Sequence, residues 1–167
     1  LLATTGGGKS LVKCHMAANY LMQGKNVVYI TMEMAEERIS ERIDANLMDV
    51  TLDELKLLPR DVYEKRINRI KSKATGKLIV KEYPTGSAHA GHFRHLLNEL
   101  KMKRGFKADV IFIDYLNICS SSRVKGAAAA NSYTLVKSIA EEIRGLAMEF
   151  NCAIVTSSQF NRDGYGN

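Results

Sequence analysis

The sequence predicts an α/β fold, a mostly parallel sheet with helices on both faces, and three observations lead there. Four short segments of β-forming residues, Asn26–Met32, Leu78–Tyr83, Asp109–Asp114 and Ala153–Ser157, alternate with stretches of helical periodicity. Strand–helix alternation builds crossover units, whose strands run parallel. Two of the segments, NVVYITM and DVIFID, are almost continuously apolar, as strands covered on both faces must be. The third observation is a glycine-rich turn, Gly6-Gly7-Gly8, set directly before the first helical stretch.

The elements follow in order. Lys9 to about Gln23 carries Leu11, Met16, Ala17, Tyr20 and Leu21 at near-helical spacing, and Gly24 stops it. After the strand Asn26–Met32, the spacing predicts a helix over Ala35–Met48 with Ile39, Ile43 and Leu47 on one face. Thr51-Leu52-Asp53-Glu54 has the spacing of a capping box, so a further helix starts there and ends at Pro59. Asp61–Lys73 is helical with Val62, Ile67 and Ile70 inward, and the strand Leu78–Tyr83 follows. Pro84–Ser87 reads as a loop and Ala88–Arg104 as a helix. Beyond the strand Asp109–Asp114, Asn117–Ala130 has no periodicity and is expected to be mostly mobile loop. Asn131–Phe150 is a long helix that leads into Ala153–Ser157.

Composition narrows the function classes. At 167 residues with 46% apolar content, the chain suits one domain with a real core. No apolar run is long enough to span a bilayer, and no signal peptide is expected in this stretch, where Lys9 interrupts any apolar core. Cys14, Cys119 and Cys152 are isolated and odd in number, which suits reduced thiols in a cytoplasmic protein. The net charge of +6 permits a nucleic-acid partner without requiring one. Much of that charge, in Arg60–Lys77 and Lys101–Lys107, reads as solvated helix surface. His89, His92 and His95 recur every third residue, but such steps drift by about 60° around a helix, so they make a poor metal set. Met32, Met34, Met48, Met102 and Met148 are expected to fill the core.

The chemistry concentrates in four places. Ala3-Thr4-Thr5-Gly6-Gly7-Gly8-Lys9-Ser10 is a turn that aims successive backbone N–H groups at one point, with a helix N-terminus behind them. That arrangement stabilises a phosphate chain; Lys9 supplies an ammonium for the outer phosphates and Ser10 a hydroxyl for Mg²⁺. Ala3 stands where the general pattern has glycine. Ligands of open parallel sheets bind beyond the carboxyl ends of the strands, and three polar residues are expected there, facing the loop. Asp114 ends DVIFID and suits a magnesium-bound water. Glu33, after NVVYITM, suits the base that orients and activates an attacking water. Gln159, just past the last strand, suits a sensor of the γ-phosphate.

These segments together resemble the RecA-like motor domain of DnaB-type replicative DNA helicases, most closely the versions carried by T-even-type bacteriophages. The resemblance runs through nearly the whole chain: the Ala-initiated phosphate loop, TMEM around Glu33, IFIDYL around Asp114, and SIAEEIRGLAMEF followed by TSSQFNR. It implies a RecA-like P-loop NTPase core using ATP and Mg²⁺, with the nucleotide held by the residues from Ala3 through Leu11. Magnesium would be held through Ser10 and Asp114, catalysis would rest on Glu33, Lys9 and Gln159, and Arg42 would lie near the nucleotide. It also implies a homo-hexameric ring in the full-length protein, single-stranded DNA in its channel, and partners of the primase and helicase-loader kind. DNA contacts would fall to Arg123, Lys125 and Arg162, on the loops after the third and fourth strands.

Only Leu1 and Leu2 precede the phosphate loop, where a strand is expected, and Asn161–Asn167 stops in loop composition. The chain is therefore expected to be a piece of a longer protein, without its amino-terminal domain, linker helix and last strands. These residues alone, lacking an arginine finger delivered in trans, should bind nucleotide weakly and hydrolyse it slowly. Two other readings share the loop: a different RecA-like ATPase, such as a recombinase or a KaiC-type protein, and a nucleotide-binding assembly module that does not hydrolyse.

Overall fold

The computed structural model describes residues 1–3, 6–73, 76–124 and 132–159. Four parallel strands form the sheet: β2 (Val27–Thr31), β3 (Leu78–Glu82), β4 (Val110–Asp114) and β5 (Ala153–Thr156), in the order β3-β2-β4-β5. All four lie within the segments expected from sequence. Two further short strands, β1 (Leu2–Ala3) and β6 (Ser158–Gln159), pair in parallel, and β6 continues the path of β5 past Ser157. The Leu1 nitrogen donates to the Thr156 carbonyl at 3.0 Å and the Ser158 N–H to the Leu1 carbonyl at 2.9 Å. The strand leading into the glycine turn is thereby seated beside the β5–β6 line.

Each face of the sheet is covered by helices, for a reason visible in the strand residues. Val28, Ile30, Ile111 and Ile113 point to one side and pack with Phe93, Leu97 and Leu100 of α5 (Ala90–Arg104) and with Ile139, Ile143 and Leu146 of α6 (Ser132–Phe150). Val27, Tyr29, Val110 and Phe112 point to the other. There they meet Cys14, Ala17, Ala18 and Leu21 of α1 (Lys9–Met22) and Ile39 and Ile43 of α2 (Glu36–Met48). Strand alternation assigns the sides, and helical spacing supplies the partners.

Two peripheral helices follow α2. Thr51 caps α3 (Leu52–Leu57) through a complete capping box, its Oγ1 accepting from Glu54 N–H while Glu54 accepts from Thr51 N–H. The next helix, α4 (Arg60–Lys73), buries none of its residues fully. Val62, Ile67 and Ile70, expected inward, are half-buried, Ile67 and Ile70 along an apolar groove between α4 and β3.

The methionine expectation needs correcting. Met32 is buried, but Met102 is 80% and Met148 is 76% exposed. Each lies two residues past an inward leucine, Leu100 and Leu146, a step of about 200° that carries the side chain outward. The histidines have a structural task instead. Gly91 N–H donates to His89 Nδ1 at 3.0 Å and His89 N–H to His92 Nδ1 at 3.2 Å, so the two rings close the N-terminus of α5. No helix among the described residues is long and apolar enough to cross a membrane.

Candidate functional site: a phosphate-loop cavity at the strand ends

The glycine turn is held open by backbone conformation. Gly6 and Gly8 have φ of 76° and 75°, the left-handed region that side-chain-bearing residues rarely adopt, and Gly8 is the N-cap of α1. No acidic residue occupies the first turn of α1, so nothing there offsets the positive end of its dipole. Val12 N–H already returns to the Gly8 carbonyl at 3.0 Å, so the helix is regular from its first turn.

Glu33 reaches the same place through a turn that Thr31 builds. Thr31, the fully buried last residue of β2, donates its hydroxyl to the Met34 carbonyl at 2.8 Å and accepts from Met34 N–H at 3.0 Å. Met32 N–H donates to the Asp114 carbonyl at 3.1 Å and Thr85 Oγ1 to the Met32 carbonyl at 2.6 Å. The chain is thus pinned on either side of Glu33, whose own side chain is exposed.

A polar cavity of about 260 Å³ lies among these elements, lined by Gly6 through Leu11 together with Glu33, Met34, Arg42 and Gln159. Six of the expected site side chains, Lys9, Ser10, Leu11, Glu33, Arg42 and Gln159, therefore share one cavity with the glycine turn, at the carboxyl end of the sheet. Arg42 comes from the face of α2 beside Ile39 and Ile43. Gln159 is placed by β6, where its N–H donates to Asn117 Oδ1 at 3.3 Å.

Asp114 is placed differently. It ends β4 as expected, but it is only 1% exposed and does not line the cavity. Lys13 Nζ donates to its Oδ1 and Tyr29 Oη to its Oδ2 at 3.1 Å. Lys13 also donates to Ser157 Oγ at 2.7 Å and is itself fully buried. Burial pushes the Lys13 ammonium below its ordinary pKa, against the charge and hydrogen bond of Asp114. Tyr115, next in the chain, has its phenol pushed up by burial and by the charges of Glu33 and Asp114. Both carboxylates thus bear on one ring.

Lys13 was not expected from sequence. Its signal was available: it precedes Cys14 by one residue and Ala17 by four on the inward stripe of α1, where an unpaired lysine would be costly. Glu142 carries the same signal on α6. It lies between Ile139 and Ile143, is 6% exposed, and accepts from the hydroxyls of Ser121, Ser122 and Ser138 and from Ser122 N–H. Ser121 Oγ in turn accepts from the N–H groups of Arg123 and Val124 at 3.1 Å. This network fixes the start of the loop after β4. Arg123 stands on it, 63% exposed, with Glu141 at 3.8 Å. Thr4, Thr5, Lys125 and Arg162 lie outside the described residues, and so does the side chain of Ala3.

The residues present fit a nucleotide phosphate chain. The turn offers backbone donors at a helix N-terminus, Lys9 adds a cation, and the cavity is open and polar. For Mg²⁺ the expected donors, the Ser10 hydroxyl and the Asp114 carboxylate, are oxygen groups a hard cation takes; Ser10 lines the cavity, and Asp114 is buried outside its lining. Among the described residues no cluster of His, Cys, Asp and Glu forms a separate metal site.

Known proteins share this sequence and this fold. The DnaB-like helicase C terminal domain family matches residues 1–165. A DnaB-like replicative helicase of Enterobacteria phage T4 is 47% identical over 168 residues, covering 99% of this chain and 35% of the phage protein. A probable plasmid replicative DNA helicase of Chlamydia psittaci is 32% identical over 158 residues, 93% of this chain and 33% of that protein. The chain thus spans about a third of the length of these curated relatives. Among solved structures, a DnaB-like replicative helicase described with its interactions with primase superimposes with a TM-score of 0.73 at 15% identity, over 99% of this chain and 39% of that one. A second solved structure, described as an ATPase domain, gives 0.74 at 16% identity, over 99% of this chain and 58% of that one. At these identities the structures establish a shared fold, the RecA-like one expected. The family match over nearly the whole length settles kinship: this chain belongs to the DnaB-like helicase C-terminal domain family.

Proposed function

We propose that this chain is the ATP-hydrolysing motor of a replicative DNA helicase, coupling turnover of magnesium–ATP to movement along single-stranded DNA and separation of the duplex. The observation that carries the reading is the shared cavity: the glycine turn, Lys9, Ser10, Glu33, Arg42 and Gln159 meet at one carboxyl edge of a parallel sheet. Family membership and the names of the phage and plasmid relatives support the same class of work.

In this reading the backbone N–H groups of Gly6 to Lys9 hold the phosphates, and the Lys9 ammonium neutralises charge that develops on the outer one. Magnesium, when bound, would screen the phosphate oxygens, held by the Ser10 hydroxyl and through water by Asp114. Glu33, exposed to the cavity and fixed by the Thr31 turn, orients a water and accepts its proton. Gln159 reads whether the outer phosphate is present and passes that state to the residues beyond it. Arg42 supplies a further cation from α2. Arg123, Lys125 and Arg162 contact the DNA backbone, a sequence-independent and salt-sensitive grip that suits translocation. A hexameric ring in the host cytoplasm, primase contact and a loader partner belong to the full-length protein. The first has the support of family kinship, and primase contact that of one structural neighbour.

The test is made on the full-length protein with Glu33→Gln. Turnover should fall about a hundredfold or more while bound ATP is retained. The unaltered protein should show ATPase stimulated by single-stranded DNA and should open a forked duplex. ATPase activity indifferent to DNA, with no strand separation, would overturn the helicase reading; undiminished turnover in the variant would remove Glu33 from catalysis.

A further inference from the structure

We propose that Lys13 is the resident counter-ion of Asp114 and sets the magnesium concentration at which the phosphate loop takes up nucleotide. The inference deepens the nucleotide-binding reading above and rests on it. Lys13 is fully buried, four residues past Lys9 on α1, and its ammonium has two partners: Asp114 Oδ1 at the end of β4, and Ser157 Oγ, at 2.7 Å, just past β5. The other carboxylate oxygen accepts from Tyr29 at 3.1 Å. Both oxygens of Asp114 are therefore engaged inside the protein, and the positive charge beside them is covalently tethered to the phosphate-loop helix.

A divalent cation drawn toward Asp114 finds the carboxylate already paired with that ammonium. In a poorly hydrated setting two cations beside one carboxylate repel strongly, so the metal has to compete with Lys13 for the same charge. The second partner makes the competition workable. Ser157 gives the ammonium a hydroxyl to keep as its bond to Asp114 loosens, so that the lysine is not stranded in the core. Ser157 also lies two residues before Gln159, on the strand line beside the glycine turn. Movement of the Lys13 head between Asp114 and Ser157 would therefore be felt at the strand carrying the sensor glutamine. Lys13 acts on the metal through Asp114 and is a positioning residue.

The experiment measures binding of a fluorescent ATP analogue to the full-length protein at pH 8 across a magnesium titration. Lys13→Met and Lys13→Gln are compared with the unaltered protein. Met keeps most of the length of the side chain and removes both charge and hydrogen bonds; Gln, of the same reach as Met, removes the charge and keeps a donor. In both, half-saturating magnesium should fall by about five- to tenfold. An unchanged or raised requirement in both variants overturns the proposal, and a shift in Met alone does so too, because packing rather than charge would then be responsible. Should Lys13→Met fail to fold, Lys13→Gln decides. Absence of magnesium-dependent analogue binding in the unaltered protein overturns the nucleotide reading itself, and this inference with it.

Discussion

Glu142 shows at the scale of one residue how a single carboxylate organises a surface. It accepts four hydrogen bonds from Ser121, Ser122 and Ser138, and through Ser121 it fixes the backbone of Arg123 and Val124. Replacing it with Ala leaves those donors facing apolar surface. The expected cost is about 2–4 kcal/mol in urea unfolding, above the roughly 1 kcal/mol of an ordinary hydrogen bond, because the acceptor is charged. The same network has a pH consequence. Burial pushes the Glu142 carboxyl up, but the serine hydrogen bonds outweigh it and hold it below the ordinary carboxylate range. A depressed folded-state pKa stabilises the fold above the unfolded value of about 4.3, and this contribution disappears as pH falls through the lower folded value. The stability gap between the unaltered protein and Glu142→Gln should therefore be full at pH 7 and shrink as the solution is taken below about pH 4. A gap that is constant with pH would show that the carboxylate is not the stabilising species. The two thiols buried in apolar elements make a simpler statement: burial pushes Cys14 up to about 11 and Cys119 to about 12, so neither is a nucleophile near neutral pH.

At the scale of elements, the turn before α1 is the most demanding piece of backbone. An added Cβ at Gly8 would meet nothing within 4 Å, so space is not what requires glycine there. The φ of 75° is. Gly8→Ala should cost about 1–2 kcal/mol in stability if the conformation is kept, and nucleotide affinity should drop if it is not. Thermal melting with and without nucleotide separates the two; a variant unchanged in both would remove the left-handed requirement. Much at this scale was legible beforehand. The four main strands, the capping box at Thr51 and the run of helices all follow from periodicity and caps, because local spacing carries that information. The depth of α4 was not legible. Its apolar residues have the right spacing, yet how far a helix settles onto a sheet edge depends on neighbours distant in sequence.

For the whole molecule, the strand order brings chemistry together. β2 and β4 are adjacent and in register, Thr31 opposite Asp114, so Glu33 and Asp114 both leave the sheet at its carboxyl edge, Glu33 into the cavity and Asp114 into the core. The pairing of β1 with β6 sets the glycine turn beside Gln159. A ligand bound to so many separate segments should hold them together. Nucleotide with magnesium at one hundred times its Kd is expected to stabilise the fold by about 2.7 kcal/mol, read as a rise in melting temperature, and Lys9→Ala should lose most of that rise. An equal rise in the variant would place nucleotide elsewhere.

The sequence by itself determined the α/β class, the glycine turn with its lysine and serine, and the strand ends at which Glu33, Asp114 and Gln159 stand. These follow from local spacing and from residue types with few other uses. Only the tertiary structure decided which of them meet. It put Glu33, Arg42 and Gln159 in one cavity with the turn, and it drew Asp114 under the loop into the company of Lys13, Tyr29 and Ser157. The physical reason is that a buried charge chooses its partner by distance in space. Lys13 and Asp114 lie 101 residues apart in the chain, and no local pattern connects them.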